Sequence, residues 1–224
     1  MSREAMLAKI RTALGTRAGD AGRRSGVDAR LAEVRPHLVP ERARRPAPEL
    51  IELFKTHLAA QSADLVEVQD KAQIPGAIAA YLTAQGLPGR VRCGSDPYLG
   101  ALAWHEVGQL AVDTGAAHAD DSAGLSHAVA GVAETGTLVL ASGPENPVTL
   151  AFVPDTHVVV VRASTVVGCY EQACALLAAE LGGAVLPRTL NLISGPSRTG
   201  DIGGRIVMGA HGPRRLAVIL VTGD

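Results

Sequence analysis

Two nearly continuous apolar runs in the second half of the chain constrain its fold most. They are Leu138-Val139-Leu140 and Val158-Val159-Val160-Val161. Successive side chains of a strand point to opposite faces of the sheet, so uninterrupted apolar runs are typical of strands buried on both sides. A sheet of this kind needs a covering layer on each face.

The elements before residue 94 alternate between helix and strand, which favours parallel pairing under helical cover. Apolar spacing and turn residues predict helices over 49–60 and from Pro75 to Gly86, with strands over 64–68 and 91–93. Further on, the pattern predicts strands over 109–114, 127–133, 137–141, 148–152 and 157–162, a helix over 170–181, and strands over 190–193 and 216–221. We therefore predict an α/β fold with a mostly parallel sheet and helices on both faces.

The first 47 residues differ in composition from the rest of the chain. Met6, Leu7, Ile10 and Leu14 share one face of a predicted helix, and residues 15–48 are rich in Arg, Gly and Pro. Residues 1–48 carry eleven Lys and Arg against five Asp and Glu, whereas the remainder carries ten against seventeen. We predict a helical or extended basic arm over 1–47 and one α/β domain over 48–224.

Composition excludes several classes of function. The net charge is −1 and aromatic residues make up 3%, which argues against nucleic acid as a partner. Uncharged apolar runs are too short to cross a membrane and the first residues do not resemble a signal peptide, so we expect a cytoplasmic protein without membrane insertion. The widely spaced Cys93, Cys169 and Cys174 support neither an iron–sulfur cluster nor a zinc site, and no local histidine pair predicts another metal.

Small polar residues follow the predicted strand that ends at Ile193. Gly195 and Pro196 break the strand, and Ser197, Arg198, Thr199 and Asp201 follow. Ser197 or Thr199 is placed to cap a short helix, whose N-terminus favours an anion, and the Arg198 guanidinium suits a carboxylate or phosphate. The alternative is an ordinary helix cap beside a surface arginine.

A second polar turn lies between two apolar strands at Glu134-Thr135-Gly136-Thr137. A carboxylate at a strand end can act as a base, a nucleophile or a hydroxyl-binding group, and Gly136 permits close approach of the backbone. The alternative is a tight connection in which the carboxylate accepts backbone N–H bonds. His211, flanked by glycines, is either an acid or base near neutral pH or a structural turn residue.

Three motifs in this order resemble the lactate-utilisation protein C family over roughly residues 48–222. They are Ala133-Glu134-Thr135-Gly136-Thr137-Leu138-Val139-Leu140, Ser194-Gly195-Pro196-Ser197-Arg198-Thr199-Gly200-Asp201-Ile202 and Gly209-Ala210-His211-Gly212-Pro213. The resemblance implies a fold like those of ribose-5-phosphate isomerase and CoA transferases. It also implies a role in oxidising L-lactate to pyruvate beside iron–sulfur partner proteins, with no cofactor in this chain. Gly203 departs from the family, where a glutamate usually follows Asp-Ile.

The resemblance implies a site at strand carboxyl ends that binds a small anionic ligand. Its binding residues would be Thr135, Gly136, Thr137, Gly195, Ser197, Arg198, Thr199 and Asp201, with Glu134 and His211 as the catalytic candidates. A second hypothesis is a free-standing transferase or isomerase acting on a small acid or its CoA ester, with Glu134 as nucleophile or base. A third is a binding module that uses the basic arm over 17–45. The sequence leaves open whether the chain is catalytic by itself. It also leaves open the oligomeric state, including whether the chain forms a homo-oligomer.

Overall fold

The structure, a computed structural model, describes residues 2–15, 20–32, 38–182 and 186–223, and only the backbone of Asp201 and Ile202. The chain divides into two compact units, Met1–Leu38 and Val39–Asp224. The second unit begins ahead of the domain boundary predicted at residue 48, which stays a prediction. Parts of the predicted arm, residues 16–19 and 33–37, lie outside the described residues.

In the part of the first unit that the structure describes, there are two helices, α1 (Arg3–Ala13) and α2 (Ala21–Ala32). The Ser2 hydroxyl accepts a hydrogen bond from Ala5 N at 3.2 Å and the Asp20 carboxylate accepts one from Arg23 N at 3.1 Å, so both helices begin at side-chain caps. Residues 21–32 of the predicted helical or extended arm are helical, since alanine, arginine and leucine favour the helix.

The second unit carries four further helices and twelve strands in its described residues. In chain order they are α3 (Ala47–Ala60), β1 (Asp64–Val68), α4 (Ile74–Ala84), β2 (Arg90–Cys93), α5 (Pro97–Gly100), β3 (Ala111–Thr114), β4 (Ala123–His127), β5 (Ala130–Val132), β6 (Thr137–Ala141), β7 (Thr156–Arg162), β8 (Val166–Val167), α6 (Tyr170–Leu181), β9 (Leu190–Ile193), β10 (Arg198–Ile202), β11 (Arg205–Met208) and β12 (Arg215–Val221). Short 3-10 helices occupy Glu41–Ala43, Lys71–Gln73, Trp104–Glu106, Val148–Ala151 and Ala163–Thr165. None of the described helices has the length and apolar character needed to cross a membrane.

Six parallel strands form the main sheet in the order β1-β12-β7-β4-β2-β3. The central pair β7 and β12 is in register from Thr156 opposite Arg215 to Arg162 opposite Val221. All six strands run the same way, so their amino ends form one edge of the sheet and their carboxyl ends form the other. The prediction of a mostly parallel α/β sheet is confirmed.

The two faces of the main sheet are covered by different layers. Val158 and Val160 pack with Ile78 and Leu82 of α4, whereas Val159 and Val161 pack with Phe54 of α3. The second face also receives the inward side chains of β6, Leu138 and Leu140. The apolar run of β7 is therefore buried on both sides, as its composition predicts.

A smaller sheet, in the order β8-β5-β6-β9, lies on the α3 side of the main sheet. Its β5–β6 and β6–β9 pairs are antiparallel, and β5 pairs with β8 in parallel. Val139 points away from the main sheet and packs with Ala173 of α6. Both apolar runs are thus central strands, one in each sheet.

Two predicted strands are wrong in their type or bounds. Residues 148–151 form a 3-10 helix after Pro147, and its backbone lies close against β4, since a Cβ on Gly124 would come within 2.3 Å of Leu150 O. The strand predicted over 127–133 is two strands, with β4 ending at His127 in the main sheet and β5 beginning at Ala130 in the smaller one. The periodicity of the segment carries no signal for this change of sheet.

The short helix predicted after the Gly-Pro turn is also wrong, because β10 and β11 form an antiparallel hairpin there. Gly203 and Gly204 link the strands with φ values of +61° and +71°. Positive φ at both central residues is what a two-residue hairpin turn needs. Glycine in place of the usual glutamate at 203 thus fits the turn, and Ser197 and Thr199 cap no helix.

Candidate functional site

The two predicted polar turns meet in the smaller sheet. Strands β6 and β9 are antiparallel with Leu138 opposite Ile193, so the residues just outside this pair, Thr137 and Ser194, are also neighbours. Their hydroxyl oxygens lie 2.7 Å apart. The turn at 134–137 and the turn at 194–198 are thereby joined directly.

The buried Thr137 is the centre of a partly buried cluster of hydroxyl groups. Its side-chain oxygen lies 2.7 Å from that of Thr135 and 3.0 Å from the phenol oxygen of Tyr170 on α6. The same phenol lies 2.9 Å from the Thr135 hydroxyl. With Ser194, these four groups satisfy one another across two strands, a turn and a helix, so Thr135 and Thr137 serve as internal connections.

Glu134 points to a different part of the second unit. One carboxylate oxygen, Oε2, lies 3.6 Å from Nη2 of Arg42, and 9% of the Glu134 side chain is exposed. Its backbone N–H donates to Gly168 O at 3.2 Å. Gly136, with φ +65°, packs against the end of α3, where a Cβ would lie 2.7 Å from the Cβ of His57. The turn thus fixes α3 and the residue 42 segment against the smaller sheet.

A cavity of about 290 Å³ lies beside the second turn, and we call it the amino-edge cavity. It opens between the turn at 194–198, the segment 211–213 and the first residues of β7 and β12, where His157 and Leu216 lie. Four of the predicted site residues line it: Gly195, Ser197, Arg198 and His211. Glu134, Thr135, Gly136, Thr137 and Thr199 are not among the lining residues.

The sequence predicts a site at the carboxyl ends of strands. The position of the amino-edge cavity agrees with this for the smaller sheet and differs from it for the main sheet. The turns follow the carboxyl ends of β5 and β9 in the smaller sheet. With respect to the main sheet, however, the cavity lies at the amino ends of β7 and β12.

Backbone hydrogen bonds hold the wall of the amino-edge cavity in place. Ser197 N–H donates to Pro213 O and Gly209 N–H donates to Ser197 O, both at 2.8 Å. Arg198 donates through Nη2 to Gln61 O at the carboxyl end of α3, where a cation interacts favourably with the helix dipole. The guanidinium is exposed and has further N–H donors, so it remains available to an anion.

His157 also lines this cavity, although the sequence patterns did not indicate it as a site residue. It is 1% exposed, and its Nε2 lies 3.0 Å from the Ser126 hydroxyl. Nδ1 is buried and has no hydrogen-bond partner among the described residues. Burial lowers the pKa of His157 from 6.5 to about 3, so the ring is neutral at physiological pH. One nitrogen of the neutral imidazole is therefore buried without a partner among the described residues.

The remaining predicted residues lie around the cavity. His211 is exposed on its rim, and Thr199 is partly buried in β10. The Asp201 side chain lies outside the described residues. Within the described ranges, no group of three or more His, Cys, Asp or Glu is arranged to hold a metal.

A second cavity, of about 500 Å³, lies at the opposite edge of the main sheet, and we call it the carboxyl-edge cavity. It is lined by Asp96, just after β2, and His127, the last residue of β4, together with residues 141–146 and the end of α6. His127 Nδ1 lies 3.3 Å from Asp96 Oδ2, and their side chains are 14% and 15% exposed. Sequence reasoning missed this pair because its members are 31 positions apart.

A family model described as "LUD domain" matches residues 109–221. Two proteins named "Lactate utilization protein C" are similar over part of the chain. That of Geobacillus thermodenitrificans is 40% identical over 100 residues, 44% of this chain and 42% of the relative. That of Bacillus subtilis is 33% identical over 100 residues, again 44% and 42%. The matched segment thus spans about two fifths of the length of these relatives.

A solved structure is similar over most of the chain. A DUF162 family protein from Deinococcus radiodurans superposes with a TM-score of 0.61 and 29% sequence identity, covering 79% of this chain and 99% of that chain. The likeness supports the two-sheet architecture described above.

Proposed function

The chain belongs to the LUD domain family, and from this premise we propose that it is a component of an L-lactate utilisation system. In this proposal the amino-edge cavity binds a small 2-hydroxycarboxylate, L-lactate, and oxidation to pyruvate proceeds together with iron–sulfur partner proteins. The names of the curated relatives support the lactate role.

One observation carries the ligand proposal: Arg198 and the buried, neutral His157 line the same cavity, and no Asp or Glu is among its described lining residues. A guanidinium binds a carboxylate through paired N–H donors. In the proposed tautomer His157 donates from Nε2 to Ser126 Oγ, which leaves the lone pair of Nδ1 to accept the lactate hydroxyl. The site then recognises both groups that define a 2-hydroxy acid.

Oxidation of lactate to pyruvate releases two electrons and two protons, so an acceptor is required. The chain has three cysteines, fewer than the four that usually hold an iron–sulfur cluster, and Cys93 and Cys169 are buried. We assign the electrons to iron–sulfur partners and substrate binding to this chain. Glu134, paired with Arg42, is assigned a positioning role, and His211 a place at the cavity rim.

The alternative of a transferase or isomerase with Glu134 as nucleophile receives less support. A nucleophile has to reach the substrate, but the Glu134 carboxylate is paired with Arg42 and lies outside the set of residues lining the amino-edge cavity.

Calorimetric titration of the purified chain with L-lactate and with propionate, which lacks the hydroxyl, tests the ligand proposal. We expect Arg198→Ala to weaken lactate binding about tenfold or more, because a charge-assisted pair is lost. Arg205→Ala, on the facing strand of the same hairpin, is the matched control. Absence of lactate binding to the unmodified chain, or full binding by Arg198→Ala, would contradict the proposal.

The role of His157 is tested by the preference for lactate over propionate. We expect lactate to bind roughly threefold to tenfold more tightly, the range of one neutral hydrogen bond. His157→Phe should abolish this preference while Arg198 still binds both acids. Because that variant changes a buried position, Ser126→Ala provides a second test, since it releases Nε2 and should reduce the preference. An unchanged preference in both variants would remove His157 from the site.

The partner proposal is tested by affinity purification of the full chain from its native cells during growth on lactate. Co-purification of an iron–sulfur protein, identified by its visible absorption and by mass spectrometry, is expected. Its repeated absence would contradict the proposed complex.

A further inference from the structure

The connections of the main sheet diverge between two neighbouring strands. After β2 the next strand of the main sheet is β3, at the sheet edge. After β4 the chain passes through β5 and β6 of the smaller sheet, and the next strand of the main sheet is β7, on the other side. The strand order of the main sheet therefore reverses between β2 and β4. In open parallel sheets such a switch point leaves a crevice outside the carboxyl ends of the two strands, where ligands bind.

Asp96 and His127 stand at the two sides of this crevice. Asp96 follows β2 and caps α5, with its Oδ1 accepting from Leu99 N at 2.8 Å and its Oδ2 facing His127 Nδ1. His127 ends β4, and its ring stacks on Tyr98 with centroids 4.4 Å apart and planes at 18°. Both side chains are thus fixed by the backbone and by each other.

The pairing determines which nitrogen of His127 remains for a ligand. Burial raises the pKa of Asp96, but the hydrogen bonds from His127 and from backbone N–H groups outweigh it, and the net pKa is lowered. An ionised carboxylate only accepts, so His127 Nδ1 carries a proton. In the neutral ring Nε2 is then an acceptor, and it is buried with no hydrogen-bond partner among the described residues. A buried acceptor of this kind gains from a donor.

The lining of the carboxyl-edge cavity indicates the kind of donor. Asp96, Glu145 and Glu180 contribute carboxylates, and no Lys or Arg is among the described lining residues. Three carboxylates repel an anion, but they accept hydrogen bonds from hydroxyl and ammonium groups. The volume of about 500 Å³ lies in the range of small-molecule sites.

We propose that the carboxyl-edge cavity is a second binding site, for a small polyhydroxylated compound without negative charge, whose hydroxyl donates a hydrogen bond to His127 Nε2. The site is independent of the lactate proposal, since the two cavities share no lining residue. The loop 142–146 forms one wall and is held by Ser95 N–H, which donates to Pro144 O at 3.1 Å.

Three probes of similar size and different charge test this site: D-glucose, D-glucosamine and D-gluconate. Binding is followed by the side-chain ¹⁵N resonances of the histidines of the full chain. We expect glucose and glucosamine to shift the His127 Nε2 resonance and gluconate to leave it unchanged. A shift with glucosamine alone also supports the site and assigns the ligand to hydroxylated amines. Gluconate binding as tightly as the other two, or no shift with any probe, would overturn the proposal.

Two variants identify the residues responsible. Asp96→Asn keeps an oxygen for the cap on Leu99 N, so the loop is retained. Its amide nitrogen then faces His127 Nδ1 as a donor, and in the neutral ring this favours the tautomer with the proton on Nε2. We expect probe binding about fivefold to tenfold weaker in this variant, the loss of one hydrogen bond to a correctly oriented ring. Glu67→Gln, outside the cavity, is the control, and Arg198→Ala should leave probe binding unchanged. Unweakened binding by both Asp96→Asn and His127→Asn would overturn the assignment.

Discussion

The two edges of the main sheet carry cavities of opposite charge. The amino-edge cavity has Arg198 and His211 and, among its described lining residues, no carboxylate. The carboxyl-edge cavity has Asp96, Glu145 and Glu180 and, in the same sense, no Lys or Arg. One parallel sheet thus offers an environment for an anion at one edge and for a neutral or cationic compound at the other.

The cavities also differ in how the chain builds them. Most of the amino-edge wall comes from the continuous segment 192–198 and from residues 211–213, which the β10–β11 hairpin brings back beside it. The carboxyl-edge wall combines residues from the loop after β2, the end of β4, the loop 142–146 and α6. A local sequence motif can indicate the first kind of site, whereas the second can be recognised only when the order of the strands in the sheet is known.

The largest expected difference between the two edges is in how their residues respond to a fall in pH. The folded pKa of His157 is about 3, below the ordinary 6.5, so between these values the unfolded chain binds a proton that the native ring does not. This contribution to stability is complete above pH 6.5 and falls as the pH is lowered towards 3, by an amount on the order of 5 kcal/mol. Asp96, whose pKa is lowered, loses its contribution only as the pH falls below its ordinary 3.8.

Urea unfolding at neutral pH and at about pH 4.5 measures this loss. We expect His157→Phe to show a smaller decrease in the free energy of unfolding between the two conditions than the unmodified chain. Asp96→Asn should change the decrease little, because Asp96 stays ionised over this range. Equal decreases in all three proteins would contradict a buried, neutral His157.

A methyl group at Gly94 should disturb the carboxyl edge alone. A Cβ there would lie 2.0 Å from Glu145 O and 2.4 Å from Glu145 C, so the loop 142–146 has to move. For Gly94→Ala we expect a loss of about 1–3 kcal/mol in unfolding free energy and weaker probe binding, with lactate binding unchanged. Gly100→Ala is the control, since its Cβ would meet no atom within 4 Å. Intact probe binding by Gly94→Ala would show that the loop is no part of the site.

Much of the fold was predictable because burial leaves a local pattern. The apolar runs of β6 and β7 and the helix over 170–181 carried their own signals, and the structure has all three. The family resemblance carried by the three motifs is confirmed by the LUD domain match and the curated relatives. The 3-10 helix at 148–151 and the hairpin after Arg198 were missed, since their conformations depend on packing against β4 and on turn glycines.

The sites were predictable only where neighbours in sequence are neighbours in space. Ser197 and Arg198 line one cavity, as residues of one turn should. Glu134 was expected to face the same ligand. The sequence of a turn does not show in which direction its carboxylate points, and here the carboxylate points towards Arg42. His157 and His127 lie at strand ends, where only the sheet order shows what they face. The chemical roles of all these residues stay predictions.

The smallest expected effect concerns the link between the two motif turns. Thr137 is fully buried and its hydroxyl lies within 3.0 Å of those of Thr135, Tyr170 and Ser194. Thr137→Val keeps the shape of the side chain and leaves each of the three partners with one hydrogen bond fewer. We expect the free energy of unfolding in urea to fall by about 1–2 kcal/mol. Thr83→Val, on the exposed end of α4, is the control. Because Ser194 lines the amino-edge cavity, lactate binding should weaken slightly in Thr137→Val while probe binding at the carboxyl edge is retained. A loss at the carboxyl edge instead would show that the two cavities are not independent.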